Sequence, residues 1–321
     1  MQHCLEHPSG PDVALTVPIP AMAQIVVETY WSQVRPYGEA GMLRQNEQAR
    51  DGVHTIPDTV RDLRLLASHR GLTSAAQLRA AEHKTWEKVL RRVALKVAQL
   101  PLFHLQKTGG REPGVPFLYE DSWLKNVTVS ELERRSWGLD LFPGIAHALG
   151  RVSSLLQPVV HRWWVEDVQR LNAHELNAPD LHGFLFGAER TAVAHLAEPL
   201  RDLQDNRCFY CERPLPRSVH VDHVLPWSRV AIDGLSNLVV TDPVCNGDKS
   251  ATLPAVHHVA AALGRPAGDL LTIAAGRRWP VEAERVSRTA RGLYGTAPVG
   301  TPLWRARGVY DLLPVEPLVT F

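Results

Sequence analysis

Between residues 208 and 250 the chain gathers side chains that can hold metals and move protons. Cys208-x-x-Cys211 opens the stretch, Asp222-His223 follows with Pro226 and Ser228, Asn237-Leu238 comes next, and Asp242-x-x-Cys245-Asn246-x-x-Lys249-Ser250 closes it. A carboxylate and an amide oxygen are hard donors suited to Mg²⁺ or Mn²⁺, ions that keep several waters and accept phosphate oxygens. An imidazole titrates near neutral pH, where a base can take a proton from water without being permanently protonated. Phosphodiester cleavage asks for this combination: an activated water, a cation on the non-bridging and leaving oxygens, and in-line geometry. A lone Asp-His pair is more often a surface turn and a lone Asn before a helix more often a cap; the joint order and spacing favour the catalytic reading. A match of Gly247-x-Lys249-Ser250 to a phosphate-binding loop fails, because the upstream glycine and the apolar strand are missing.

The series resembles the HNH endonuclease family over about residues 205–255, and the HNH nuclease domain of CRISPR effectors has a similar Asp-His, Pro, Ser, Asn, Asn, Lys-Ser order. The resemblance implies a ββα-metal unit in which Asp222-His223 closes the first strand, Asn237-Leu238 opens the second and Asn246 starts the helix. It implies His223 as general base, Asp222 and Asn246 as ligands of a catalytic Mg²⁺ or Mn²⁺, and Asn237 as the residue orienting loop and imidazole. Adjacent Asp222 and His223 point to opposite faces of a regular strand, so the pair is expected where the strand leaves its ladder, with Pro226 just beyond. Arg229 and Lys249 are the nearby cations expected to meet phosphate.

Four cysteines in a chain of 321 residues are no disulfide framework; a Cys-x-x-Cys knuckle with no secretory signal reads as metal-binding in a cytoplasmic protein. Zinc-bearing HNH proteins carry two knuckles, and here Asp242 stands in the first position of the second. Three readings stay open, in this order: a structural Zn²⁺ on Cys208, Cys211, Cys245 and Asp242; a Cys₃ site completed by His220, His257 or His258; and a relic without metal. Cys4 stands apart as a free thiol.

These residues need a scaffold, and the rest of the chain reads as mostly helical. With 45% hydrophobic and 21% charged residues and a net charge of +1, the composition suits two domains with a sizeable core and excludes indiscriminate electrostatic coating of nucleic acid. The apolar stretch at Ala21–Val27 is too short and interrupted to span a membrane. From Glu82 to Leu100, Trp86, Leu90, Val93, Val97 and Leu100 form one stripe at helical spacing, which turns Lys84, Lys88, Arg91 and Arg92 outward together, either as a solvated face or as a surface that tracks phosphates. Pro101 is expected to end that helix, and residues 107–122 to form a loop around Gly109-Gly110 and Pro113. Phe142–Leu171 reads as a second helical block, largely buried, kinked or restarted at Pro158, with Trp163-Trp164 in the core. A helix over Ala188–Leu203, broken at Pro199, leads into the first knuckle.

The expected fold class is α+β: a predominantly helical chain with a helical N-terminal domain (1–200), a small ββα-metal nuclease unit (201–258) and a helical C-terminal extension (259–321). The expected function is divalent-metal-dependent endonuclease, acting on DNA rather than RNA because most of the resembled family cuts DNA, in a bacterial defence or restriction-type setting with a possible partner protein. A ribonuclease, or a binding module with an inactive HNH unit, is the alternative; intact Asp222, His223 and Asn246 argue against the latter.

Overall fold

The computed structural model describes residues 1–38, 41–45, 55–107, 115–172, 180–187 and 193–315. In chain order the elements are α1 (Gln2–Glu6), β1 (Leu15–Pro18), α2 (Ile19–Gln33), α3 (Ile56–His69), α4 (Ala75–Ala81), α5 (His83–Val97), α6 (Val129–Arg134), β2 (Gly138–Leu141), α7 (Ile145–Leu171) and α8 (Leu181–Phe186). They continue with α9 (Ala197–Leu203), β3 (His220–His223), β4 (Leu238–Thr241), α10 (Pro243–Lys249), α11 (Val256–Leu263), α12 (Ala267–Arg277), α13 (Ala283–Thr296), β5 (Pro302–Ala306) and β6 (Val309–Leu312). The fold is α+β and mostly helical, with antiparallel two-stranded sheets β1-β2, β3-β4 and β5-β6. Two compact units divide it: Met1–Gly71 with Glu82–Phe184, and Leu72–Ala81 with Leu185–Phe321.

In the first unit α2 packs on α3 and α5, and β1 pairs with β2 in the register Leu15↔Leu141. Thr55 and Asp58 cap α3 reciprocally, with Pro57 in its first turn, so orphan N–H groups are satisfied where the chain enters the helix. Trp86, Val93, Ala94 and Val97 bury one side of α5. Pro101 does not stop the helix: a π turn over Ala98–Leu102 carries the chain past it. The wider turn shifts the register, so Ala98 and Leu102 stay buried while Leu100, expected in the stripe, is 59% exposed.

α7 departs further from expectation. It runs unbroken through Pro158; both Pro158 and Ser154, whose carbonyl loses its helical partner, are exposed, so water can take the place of the missing N–H. Nor is the helix largely buried. Its inward positions are Ala146, Gly150, Ser153 and Val168, whereas Val152, Leu155, Leu156, Val159, Val160 and Trp163 face out. The expected loop glycines 109 and 110, Pro113, and the first five residues of the helix expected over 188–203 lie outside the described residues. Pro199 sits in the first turn of α9 and does not break it.

The second unit wraps helices around β3-β4. Gln77 Nε2 donates to Arg277 O at 2.9 Å, and Arg79 pairs with Glu282 at 2.7 Å, so the short α4 segment is tied to the C-terminal helices. Burial opposes ionisation of Glu282, but the flanking Arg79 and Arg285 guanidinium groups hold its carboxyl below the usual range. The stretch expected as a helical extension ends in the β5-β6 hairpin, not in a helix. Aromatic and β-branched residues favour strands there, and Gly308, at φ +69°, supplies the left-handed residue the turn needs.

Candidate functional site

β3 and β4 pair antiparallel as His220↔Thr241, Val221↔Val240, Asp222↔Val239 and His223↔Leu238. The connection between them is long and irregular, and one fully buried side chain organises it. Asn237 Oδ1 accepts from Leu225 N at 2.8 Å, and its Nδ2 donates to Leu225 O at 3.2 Å and Ile232 O at 3.0 Å. Both of its N–H donors and one lone pair of its oxygen are spent on backbone. The C-terminal segment braces the same loop: Leu235 N and Ser236 N donate to Pro280 O and Val281 O, and Trp279 Nε1 donates to Asp233 O. The fit is so close that a Cβ on Gly234 would meet Glu282 Cβ at 2.6 Å and Val281 O at 2.7 Å.

This frame holds two sets of side chains, separated by the pleat of β3. Asp222 shares its face with His220, two residues earlier. Asp222 Oδ2 accepts from Tyr210 OH at 2.6 Å and pairs with Lys249 Nζ at 2.9 Å; Oδ1 has no partner among the described residues. Asn246, on α10, lies beside them with its Nδ2 on His220 Nδ1 at 2.9 Å, so its amide oxygen is uncommitted there. His223 is 5% exposed. Its Nε2 meets Asp233 Oδ1 at 2.8 Å, and its ring lies 5.2 Å from that of Trp227. Despite the pleat, His220, Asp222, His223, Trp227 and Asn246 line one cleft of about 500 Å³.

Lys249 is not the phosphate contact the sequence suggested. It is fully buried, bonded to Asp222 and, at 2.8 Å, to His223 O, because α10 packs against β3 and its last turn points inward. Burial pushes its ammonium below the ordinary lysine range, opposed by the Asp222 carboxylate. Arg229 is half-buried and donates to Ala251 O at 3.2 Å; desolvation lowers its guanidinium as well. The N-terminus of α10 is filled by Asp242, whose Oδ1 accepts from Val244 N and Cys245 N at 2.9 Å each.

The other carboxylate oxygen of Asp242 faces the thiols, 3.4 Å from Cys211 Sγ. One ligand atom from each of Cys208, Cys211, Asp242 and Cys245 lies within 4.8 Å of all the others. A tetrahedral zinc with bonds of about 2.3 Å needs sulfur–sulfur edges of roughly 3.8 Å, so the cluster can hold a metal ion. Burial raises the Cys245 thiol and the Asp242 carboxylate adds to it. Burial opposes ionisation of Asp242, yet hydrogen bonds from Cys208, the Cys245 N–H and the Cys245 and Cys211 thiols keep it below the normal carboxylate range. The histidines weighed as a fourth ligand are elsewhere: His220 on Asn246, and His258 Nε2 on Arg305 O at 2.8 Å, stacked on Trp304.

Two residues outside the sequence expectation hold the site together. Asp233 partners the imidazole, and Tyr210, between the two cysteines of the first knuckle, reaches across to Asp222. An Asp-Gly in a loop reads as a turn, and a Tyr inside a knuckle has no periodic neighbour, so neither carried a signal. Lys84, Lys88, Arg91 and Arg92 are all exposed on α5, in the first unit.

Residues 208–255 match the HNH endonuclease family. This segment is therefore an HNH unit, of a metal-dependent family whose substrate is nucleic acid. No curated protein and no solved structure matches the chain. Among the described residues, no helix is long and apolar enough to cross a membrane.

Proposed function

We propose that the chain is a divalent-metal-dependent endonuclease that hydrolyses phosphodiester bonds of DNA, with His223 as general base. The observation that carries this reading is the gathering of Asp222, His223 and Asn246 on one cleft by a ββα unit. Asp222 Oδ1 and the Asn246 amide oxygen are hard donors on that cleft and fit Mg²⁺ or Mn²⁺. Bound there, such an ion supplies charge for the scissile phosphate and leaving oxygen.

The remaining work falls to protein groups. Asp233 accepts the proton-bearing Nε2 of His223, which leaves Nδ1 as the acceptor for a proton from the attacking water. When the imidazole takes that proton, the Asp233 carboxylate stabilises the cation. Asn237 fixes the loop that presents Asp233. Tyr210 and Lys249 set the rotamer of Asp222, so a metal donor and the base are held by separate anchors. Cys208, Cys211, Cys245 and Asp242 would hold a structural Zn²⁺, which would brace the knuckle that carries Tyr210 to Asp222, and a cytoplasmic setting accords with thiols kept for a metal. A bacterial defence or restriction-type role rests on family analogy alone.

The test is cleavage of plasmid, linear duplex, single-stranded DNA and RNA with and without added Mg²⁺ or Mn²⁺. His223→Ala should lose about 10²- to 10⁴-fold in rate while keeping its zinc content and a cooperative melting transition. Asp233→Ala should lower kcat by less, with KM unchanged. Cleavage without divalent cation, or a fully active His223→Ala protein, would sink the assignment; cleavage of RNA alone would favour the ribonuclease.

A further inference from the structure

We infer that the cleft receives an unpaired nucleotide whose base stacks on Trp227, so that the substrate is single-stranded or locally melted where it is cut. The inference rests on the nuclease reading for the identity of its ligand as nucleic acid.

The charge of the cleft points this way first. Among the described residues, no Lys or Arg lines it, and Asp222 is the one carboxylate that does. Of the two cations that the sequence placed nearby, Lys249 is buried on Asp222, and Arg229, half-buried with its Nε on Ala251 O, is not among the residues lining the cleft. A groove that tracks a duplex by its backbone needs cations on its walls, and none of the described residues lining this one is a Lys or Arg. Beyond the divalent ion of the proposed mechanism, affinity at the point of cleavage must draw on another source.

The apolar wall supplies it. Phe186, Val193, Pro226 and Trp227 contribute the larger apolar residues of its lining. Trp227 is half-buried, and its Nε1 makes no hydrogen bond among the described residues, whereas the indole donors of Trp279 and Trp304 are committed to Asp233 O and Asp248. With its ring 5.2 Å from His223, a base on Trp227 sets its own phosphate beside the imidazole. A volume of about 500 Å³ lies within the range of pockets that enclose one small ligand. It has room for a nucleotide. Stacking is sequence-tolerant, because every base has a π-face, so the strand is selected by its unpaired state and not by its letters.

The experiment measures binding without added divalent cation, by tryptophan quenching and fluorescence anisotropy. Its ligands are a mixed-sequence single-stranded oligonucleotide, as DNA and as RNA, and the same sequence fully paired. The single strand should bind at least about 10-fold tighter than the duplex, which must pay for unpairing. Trp227→Ala should weaken single-strand binding by about 10-fold, abolish most of the quenching and leave the salt dependence unchanged; Trp227→Phe should restore most of the affinity. Equal or tighter duplex binding, or unchanged affinity and quenching in a folded Trp227→Ala protein, overturns the inference. Should Trp227→Ala lose its zinc or its melting transition, Trp227→Phe against Trp227→Leu decides the same point. Trp227-dependent single-strand binding by a protein that cuts nothing would remove the nuclease reading and leave this one standing; cleavage with duplex bound as well as single strand does the reverse.

Discussion

The ββα unit and α7 place polar and apolar residues in opposite ways. In the first, Asn237, Lys249 and Thr241 are fully buried and His223 nearly so, each with a partner at hydrogen-bonding distance. In the second, the small residues Ala146, Gly150 and Ser153 face inward, while Leu155 and Trp163 are 71% and 63% exposed. A cation is inside where the sequence suggested a surface, and an aromatic outside where it suggested a core. The difference lies in what each position can satisfy: a buried lysine is stable only with an anion and a carbonyl arranged for it, and helical spacing only says that residues share a face, not which face meets the core.

If polar burial carries the ββα unit, removing its cluster ligands should have the largest effect. One zinc per chain is expected by elemental analysis, and Cys245→Ser should lose it together with the local fold, since metal binding and folding are coupled. Asp242 separates two roles: Asp242→Asn keeps a good helix cap but removes the anionic ligand, so zinc loss with little change in the zinc-free stability marks a ligand. Zinc retained at full affinity by Asp242→Asn reduces the residue to a cap, and no zinc in protein purified without chelator supports the relic.

A smaller but still large effect is expected at Lys249. Lys249→Ala leaves Asp222 without its cation, which typically costs about 3–5 kcal/mol for a fully buried pair and less here, because Asp222 is part-exposed on the cleft; the loss is read from denaturant unfolding, and Lys249→Met, which preserves volume, should lose a similar amount for the same electrostatic reason. A change within about 0.5 kcal/mol would show that Asp222 is solvated and that the pair does not hold the site.

The exposed cations of α5 should leave stability untouched and act on binding. Changing Lys88 and Arg91 to Ala should weaken DNA binding uniformly across sequences and flatten the slope of log K against log salt by up to about 0.9 per contact for duplex, or about 0.7 for single strands. An unchanged slope in a folded double variant makes this side of α5 a solvated face. The outward residues of α7 should matter least to folding: Leu155→Ser and Trp163→Ser should each shift stability by no more than about 0.5 kcal/mol. Losses of several kcal/mol would mean that this face is covered in the folded protein and that the contrast with the ββα unit fails.

By itself, the sequence determined the ββα unit, its order of strands and helix, the cluster of three cysteines with Asp242 and the largely helical surroundings. The pieces of these features are local, since a turn, a cap and a knuckle are set by residues within a few positions of each other, and the ordered series of motifs carried by the HNH resemblance brought the pieces together. Tertiary structure decided what those side chains face. Asp233 reaches His223 only because Asn237 folds the loop back and Trp279, Pro280 and Val281 brace it from more than forty residues away. Tyr210 finds Asp222 because Phe209 N bonds Val240 O and hangs the knuckle on β4. Lys249 turns inward, Leu100 outward and α7 shows its larger residues to solvent because the satisfaction of a buried charge, the register of one π turn and the choice of contact face all depend on neighbours distant in the chain, which no spacing along the chain encodes.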